Sequence, residues 1–417
     1  MASGDRKPEG HIHGQTGYDC RSVCMNKRGA GLNTCHRISV VVVAVALLPL
    51  PLMAHASEGS LVQAVDKVFA DIEDDMRPGC AVGVIRHGEY ILQKGYGLAN
   101  LEYGLPVTSQ TVFRTGSVSK QFTAMAIALL AEEGRLDLDA DVRRYLPELR
   151  DYGKPVTIRQ MVHHVAGMGD YDPDLFRKAD GSEFRFGNED YWTIAEFYAA
   201  VRDVPLRLEP GTRWEYSNLG YFLLSQVVER VSGLSLRRYA ENTIFEPLGM
   251  SHSMFYDNVN ELVKNRADGY SKTDDGRYEL YMTNLSWVGD GGVYTSLDDF
   301  IAWDRNWTNN TLGKGEPALI ELATTPLPGF ETESSEIFGE HPAYAFGLFV
   351  SERDGVKLIG HSGGWVGFSS VYLRFPEKAL SVVTFCNSTD VSAPERGNTV
   401  ATIALQMLAQ VDGAVRR

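Results

Sequence analysis

Ser117 and Lys120 stand three residues apart at the head of the stretch "GSVSKQFTAMAIALLAEEG", Gly116 to Gly134. On a helix, positions with that spacing share a face, so the amine can reach the hydroxyl. A serine alcohol is a poor nucleophile at neutral pH and needs a neighbouring base; an amine serves once burial lowers its pKa. A helix N-terminus adds a backbone N–H able to hold a developing oxyanion. The apolar run after Lys120 would bury the helix and hold the pair rigidly. Against this stands a plainer reading, an N-cap serine beside a solvated lysine, because average composition yields about one Ser-x-x-Lys by chance in a chain this long.

Two further groups complement the pair. Tyr216-Ser217-Asn218 lies in "PGTRWEYSNLGYFLL", after a Pro-Gly turn and directly before an amphipathic helix. A tyrosine there can shuttle a proton to or from a leaving group, and the asparagine amide can hold a substrate carbonyl or the lysine. A second Tyr-x-Asn, Tyr256 to Asn258, lacks that setting and reads as loop. The third group is His361-Ser362-Gly363-Gly364 in "GHSGGWVGFSS", between two strand signals. Its glycines let a substrate backbone lie along a strand edge, and a backbone N–H near Gly364 would partner that of Ser117 in an oxyanion hole. A hairpin loop whose glycines serve geometry alone is the alternative.

In this order and spacing, the three groups resemble the serine beta-lactamase and penicillin-binding family, in its class C beta-lactamase and D-alanyl-D-alanine carboxypeptidase branch. The motifs of that family are Ser-x-x-Lys, Tyr-x-Asn and a Lys/His-Thr/Ser-Gly triad. The resemblance runs from roughly Leu61 to Leu408 and includes "LPELRDYGKPVTIRQMVHHVAGM", "IFEPLGMSHSMF" and "GDGGVYTSLDDFIAWD". It implies that Ser117 is acylated, Lys120 accepts its proton, Tyr216 shuttles a proton with Asn218 in support, and His361, Ser362 and Gly363 line the far wall. Whether Lys120 or Tyr216 takes the first proton stays open. His361 stands where many beta-lactamases carry lysine, and no Lys-x-Gly occurs after residue 56. A histidine there is mostly neutral at pH 7, so beta-lactams are expected to acylate the protein but to be slow substrates or inhibitors. The implied activity is a serine hydrolase acting on D-amino-acid peptides or small esters, with no metal or organic cofactor. A true class C beta-lactamase and a non-catalytic penicillin- or peptide-binding sensor are the rival readings.

The elements that must position these groups are legible in outline. Leu61, Val62, Val65, Val68 and Phe69 space a helix over residues 61–75, which Pro78-Gly79 stops. "CAVGVIR" and "YILQKGYG" around His87-Gly88 read as a hairpin, as do "YAFGLFVSER" with "VKLIG" and "SSVYLRF" with "ALSVVTFC". Leu219 to Val231 reads as a helix ended by Gly233, and "TVATIALQMLAQV" as a closing helix over a sheet face. The expected fold is α/β (α+β), of beta-lactamase/transpeptidase type. It has an antiparallel five-stranded sheet built from both chain ends, flanked by helices, with a helical lobe inserted at roughly 140–335. In such a fold the strands that begin at Cys80 and end at Cys386 are antiparallel neighbours, so the resemblance allows a cross-strand disulfide.

Composition bounds the rest. An apolar run from Val40 to Leu48 is too short to span a bilayer, and it ends in "AHAS" around Ala54 and Ala56, the pattern of a signal-peptidase site. Residues 1–56 are therefore expected to be a leader, with Met25 an alternative start, and residues 57–417 an exported hydrolase domain, periplasmic or secreted, with no stable membrane span. Of 40 Lys and Arg and 54 Asp and Glu, the leader holds 6 and 3, which leaves the remainder at −17. So acidic a body repels phosphate backbones, so a small molecule or peptide rather than nucleic acid is the expected partner. His163-His164 lack a metal-site pattern and read as a helix end. Gly289, Gly291 and Gly292 lack a following Gly-Lys-Ser/Thr and read as a close backbone approach near the cleft, with Asp290 as a possible supporting group.

Overall fold

Both ends of the chain are rich in β-branched and aliphatic residues, and they meet in one antiparallel sheet. The computed structural model describes residues 50–72, 76–171 and 190–415. The strands of the large sheet are β1 (Cys80–Arg86), β2 (Glu89–Tyr96), β3 (Ala343–Tyr344), β4 (Phe349–Arg353), β5 (Val356–Trp365), β6 (Phe368–Phe375) and β7 (Leu380–Cys386). Their order is β3-β4-β5-β6-β7-β1-β2. His87 and Gly88 both take positive φ, 51° and 76°, which is the twist a two-residue hairpin turn requires. Strand β1 is flanked on both sides and buried along six of its seven residues, hence its unbroken apolar run.

The sheet carries seven strands where five were expected. The three hairpins supply six, and the tight turn at 345–348 folds Tyr344 back on Phe349 as a two-residue seventh. His361 to Gly364 lie inside β5 rather than in a connection, because Tyr372 to Ser369 of β6 supply ladder partners as far as Trp365. The β1–β7 register pairs Cys80 with Cys386, and the two are joined by a disulfide.

Helix α1 (Leu50–Val68) begins earlier and ends sooner than the expected 61–75, giving way to a short 3-10 turn at Ala70–Ile72. Residues 1–49 of the expected leader lie outside the described residues. Val65 and Phe69 pack with Val400 and Ala404 of the closing helix over Val82, Val371 and Val382 of the sheet. No helix among the described residues is long and apolar enough to cross a membrane.

The other sheet face meets helix α2 (Lys120–Glu132), whose residues are buried from Lys120 to Leu130. A helix apolar all round belongs in a core. Phe122 lies tilted against Trp303 with ring centres 4.2 Å apart, and Trp303 Nε1 donates to Gln121 Oε1 at 2.5 Å. Helix α3 (Ile158–Val162) starts with a Thr157/Gln160 capping box. Helix α4 (Asn218–Ser232) is N-capped by Ser217 and stopped by Gly233 at φ 76°. Between sheet and helices, Asp304 accepts from Tyr372 Oη at 2.6 Å and Arg374 Nη1 at 2.9 Å, all three buried.

Candidate active site

Ser117 sits on a 3-10 turn, Gly116–Ser119, that runs directly into α2. Gly116 has φ 51° and lies so close to β5 that a Cβ there would be 2.8 Å from Gly364 N. A Cβ on Gly363 would lie 2.2 Å from Thr115 O and 2.9 Å from Ser117 N. Two glycines thus bring the Ser117 turn and the strand into backbone contact, which any side chain would hold apart.

Lys120 has no exposed surface, and its Nζ meets three acceptors: Ser117 Oγ at 3.1 Å, Asn218 Oδ1 at 2.6 Å and Asp290 O at 2.5 Å. An ammonium has three hydrogens and fills all three. A neutral amine keeps two, and neither the amide oxygen nor the carbonyl can donate. The lone pair is then directed at Ser117 Oγ, the single partner with a proton to give. Burial lowers the Lys120 pKa to about 8, against the opposing fields of Asp290 and Asp170.

Tyr216 completes the triangle. Its hydroxyl is hydrogen-bonded to Ser117, while burial holds its pKa well above the ordinary phenol value. Lys120 Nζ lies 4.8 Å from the centre of its ring. The loop is fixed from both sides: Ser217 Oγ accepts from Gly220 N at 2.9 Å, and Ser217 N donates to His164 Nδ1 at 3.1 Å. His164 ends the α3 segment, as the "HH" signal suggested, and also packs under the site, 4.4 Å from the Tyr216 ring. Burial, aided by Lys120, keeps its pKa well below that of a free imidazole.

Asp170 gives Asn218 its orientation. Its carboxylate accepts from Asn218 N at 3.1 Å and from Asn218 Nδ2 at 3.0 Å, which turns Oδ1 towards Lys120. Sequence reasoning missed this residue, for "GMGDYD" carries no motif. It also missed Tyr344, whose hydroxyl lies 3.0 Å from His361 Nε2. His361 is 2 % exposed, and burial together with the Lys120 charge pushes its pKa down to about 3.

Ser117, Tyr216, His361, Ser362, Gly363 and Gly364 line one cleft of about 510 Å³. Asn218 and Lys120 reach it from beneath, so the structure brings every sequence-predicted site residue together. The second Tyr-x-Asn stays out: the Tyr256 hydroxyl donates locally to Val259 O at 2.9 Å. The glycine run is a close approach, as read. A Cβ on Gly289 would lie 2.6 Å from Tyr221 O, and Thr123 Oγ1 donates to Gly289 O at 2.7 Å. Asp290 contributes its carbonyl to Lys120; burial raises the pKa of its own carboxyl.

Residues 65–406 match a family model described as Beta-lactamase. The solved octameric penicillin-binding protein homologue from Pyrococcus abyssi is similar at 30% identity and TM-score 0.71, over 84% of this chain and 77% of that one. A D-aminopeptidase from Gluconobacter oxydans is 29% identical over 74% of this chain and 56% of its own length. Penicillin-binding protein 4* from Bacillus subtilis is 26% identical over 73% of this chain and 66% of its own. The chain thus spans between 56% and 66% of the length of these two curated relatives. A match running through nearly all of the described body shows that this chain belongs to the Beta-lactamase family.

Proposed function

We propose that the protein is an exported serine hydrolase that acylates on Ser117 and transfers the acyl group to water, with D-amino-acid peptides, amides or small esters as acyl donors. The observation that carries this is the Lys120 amine, whose two other partners can only accept, so that its lone pair in the neutral form faces Ser117 Oγ. Lys120 takes the Ser117 proton as Oγ attacks the carbonyl carbon. The oxyanion is held by the N–H groups of Ser117 and Gly364. The leaving nitrogen or oxygen then takes a proton from the Tyr216 hydroxyl, which Lys120 replenishes; water reverses the sequence and frees Ser117. The depressed Lys120 pKa and the raised Tyr216 pKa support the lysine as first base.

The D-aminopeptidase relative supports D-amino-acid donors. Neutral His361 supports slow turnover of beta-lactams, whose carboxylate it cannot pair with. The Cys80–Cys386 disulfide supports an oxidising compartment and hence export. The test is intact-mass analysis after exposure to a fluorescent penicillin, beside turnover of D-alanine p-nitroanilide. A penicilloyl adduct and hydrolysis, both abolished by Ser117→Ala, are expected. Binding without adduct or turnover would leave the sensor reading in its place.

A further inference from the structure

The proton donor sets the direction in which a leaving group departs. Tyr216 packs against His361, with ring centres 6.2 Å apart. The part of a substrate beyond the scissile bond therefore lies along His361 and Ser362, where β5 offers a free edge. Phe349 of β4 pairs with Gly360, and past that residue β5 is paired with β6 alone among the named strands.

Both imidazole nitrogens of His361 are already engaged. Nδ1 lies 2.5 Å from Ser362 O, a carbonyl that can only accept, so the ring hydrogen is there. Nε2 is then a bare acceptor and takes the Tyr344 hydroxyl at 3.0 Å. The neighbouring Tyr221 spends its own hydroxyl hydrogen on Val162 O at 2.8 Å, so it does not compete for His361. The ring is held uncharged and has no N–H left to offer a ligand. Further along, the wall is made of Ser362, Thr389, Val391, Ser392 and Pro394. No lysine or arginine is among the described residues that line the cleft. Lys120 lies beneath it with its donors engaged, and Arg396 turns away to Asp71 at 2.7 Å.

We propose that this wall is a neutral leaving-group subsite. It accepts amide, ester or alcohol ends through hydroxyls and the strand edge, and it discriminates against leaving groups that carry a free carboxylate next to the scissile bond. A carboxylate drawn in sheds water and meets no cation among the described residues in return. The proposal rests on the acyl-enzyme reading and narrows it to aminopeptidase, amidase or esterase substrates, against carboxypeptidase ones.

The experiment is competition between D-alanyl-D-alanine and D-alanyl-D-alaninol, which differ by a carboxylate against a hydroxymethyl group. The alaninol substrate is expected to have the higher kcat/KM by about 10- to 100-fold, the range of one charge-assisted hydrogen bond. His361→Lys should narrow that ratio at least tenfold. Should this buried change impair folding, Thr389→Arg adds a cation at an exposed rim position and should shift the ratio the same way. Equal or better cleavage of the free acid by the unmodified protein overturns the subsite and leaves the acyl-enzyme reading intact. Cleavage of neither substrate, with no penicilloyl adduct on Ser117, overturns both.

Discussion

If Lys120 is the base for acylation, its protonation governs the rate. With a pKa of about 8, about one molecule in ten carries the neutral amine at pH 7 and about nine in ten at pH 9. kcat/KM for an uncharged substrate should therefore rise about tenfold between those values, with a midpoint near 8 and no limb near 6.5 from His361, which stays neutral across this range. The same midpoint can be moved. Asp170 opposes the lowering of the Lys120 pKa, so Asp170→Asn removes a field that favours the ammonium, and the limb must shift to lower pH. A carboxylate one amide group away from an ammonium acts on it by roughly 1–2 kcal/mol at an effective dielectric constant near 20, or about one pH unit. The assay is hydrolysis of p-nitrophenyl acetate from pH 6 to 10, corrected with Ser117→Ala, because that ester has no titrating group in the range. A flat profile, a midpoint near 10, or a limb that moves upward in Asp170→Asn would refute the assignment. By linkage the sign for stability is also set: the buried amine's folded pKa is depressed, so its contribution improves as pH rises from about 8 towards 10.5.

Three further outcomes follow from the packing. Gly363→Ala should reduce kcat/KM about a hundredfold, since its Cβ would meet the backbone atoms Thr115 O at 2.2 Å and Ser117 N at 2.9 Å and displace Ser117; wild-type rates would show the turn to be pliant. Asp304→Ala strands the buried Arg374 guanidinium and Tyr372 hydroxyl, and urea unfolding should show a loss of about 3–5 kcal/mol. Replacing both Cys80 and Cys386 by alanine opens a loop of 306 residues, which the chain-entropy model values at about 6 kcal/mol; an unchanged melting temperature, or two free thiols in the denatured, unreduced protein, would count against the bridge.

Ser117 and Lys120 were legible because an i, i+3 pair ran straight into an apolar helix, a local pattern with a local cause. Tyr216 and Asn218 were legible for a similar reason: a Pro-Gly turn precedes them and an amphipathic helix follows directly. The bounds of β5 were not. "HSGGW" has poor strand propensity, and cross-strand partners in β6 override it. Asp170, His164 and Tyr344 stayed hidden because their roles arise only when separate segments close around Lys120 and His361. Asp170 stands 48 residues from the amide it orients, and nothing in its neighbours marks it. The seventh strand escaped in the same way, since the two-residue Ala343–Tyr344 exists only through its partner.

One interior pair of the sheet joins β1 to β7, segments 306 residues apart at their cysteines. A ribosome delivers the first of these long before the second. Until Leu380–Cys386 emerges, "CAVGVIR" keeps one open, apolar edge, the kind that recruits other chains. The sheet of this protein is thus unable to complete itself until its last strand arrives, which makes truncation before Leu380 a lesion of the whole fold rather than of its tail.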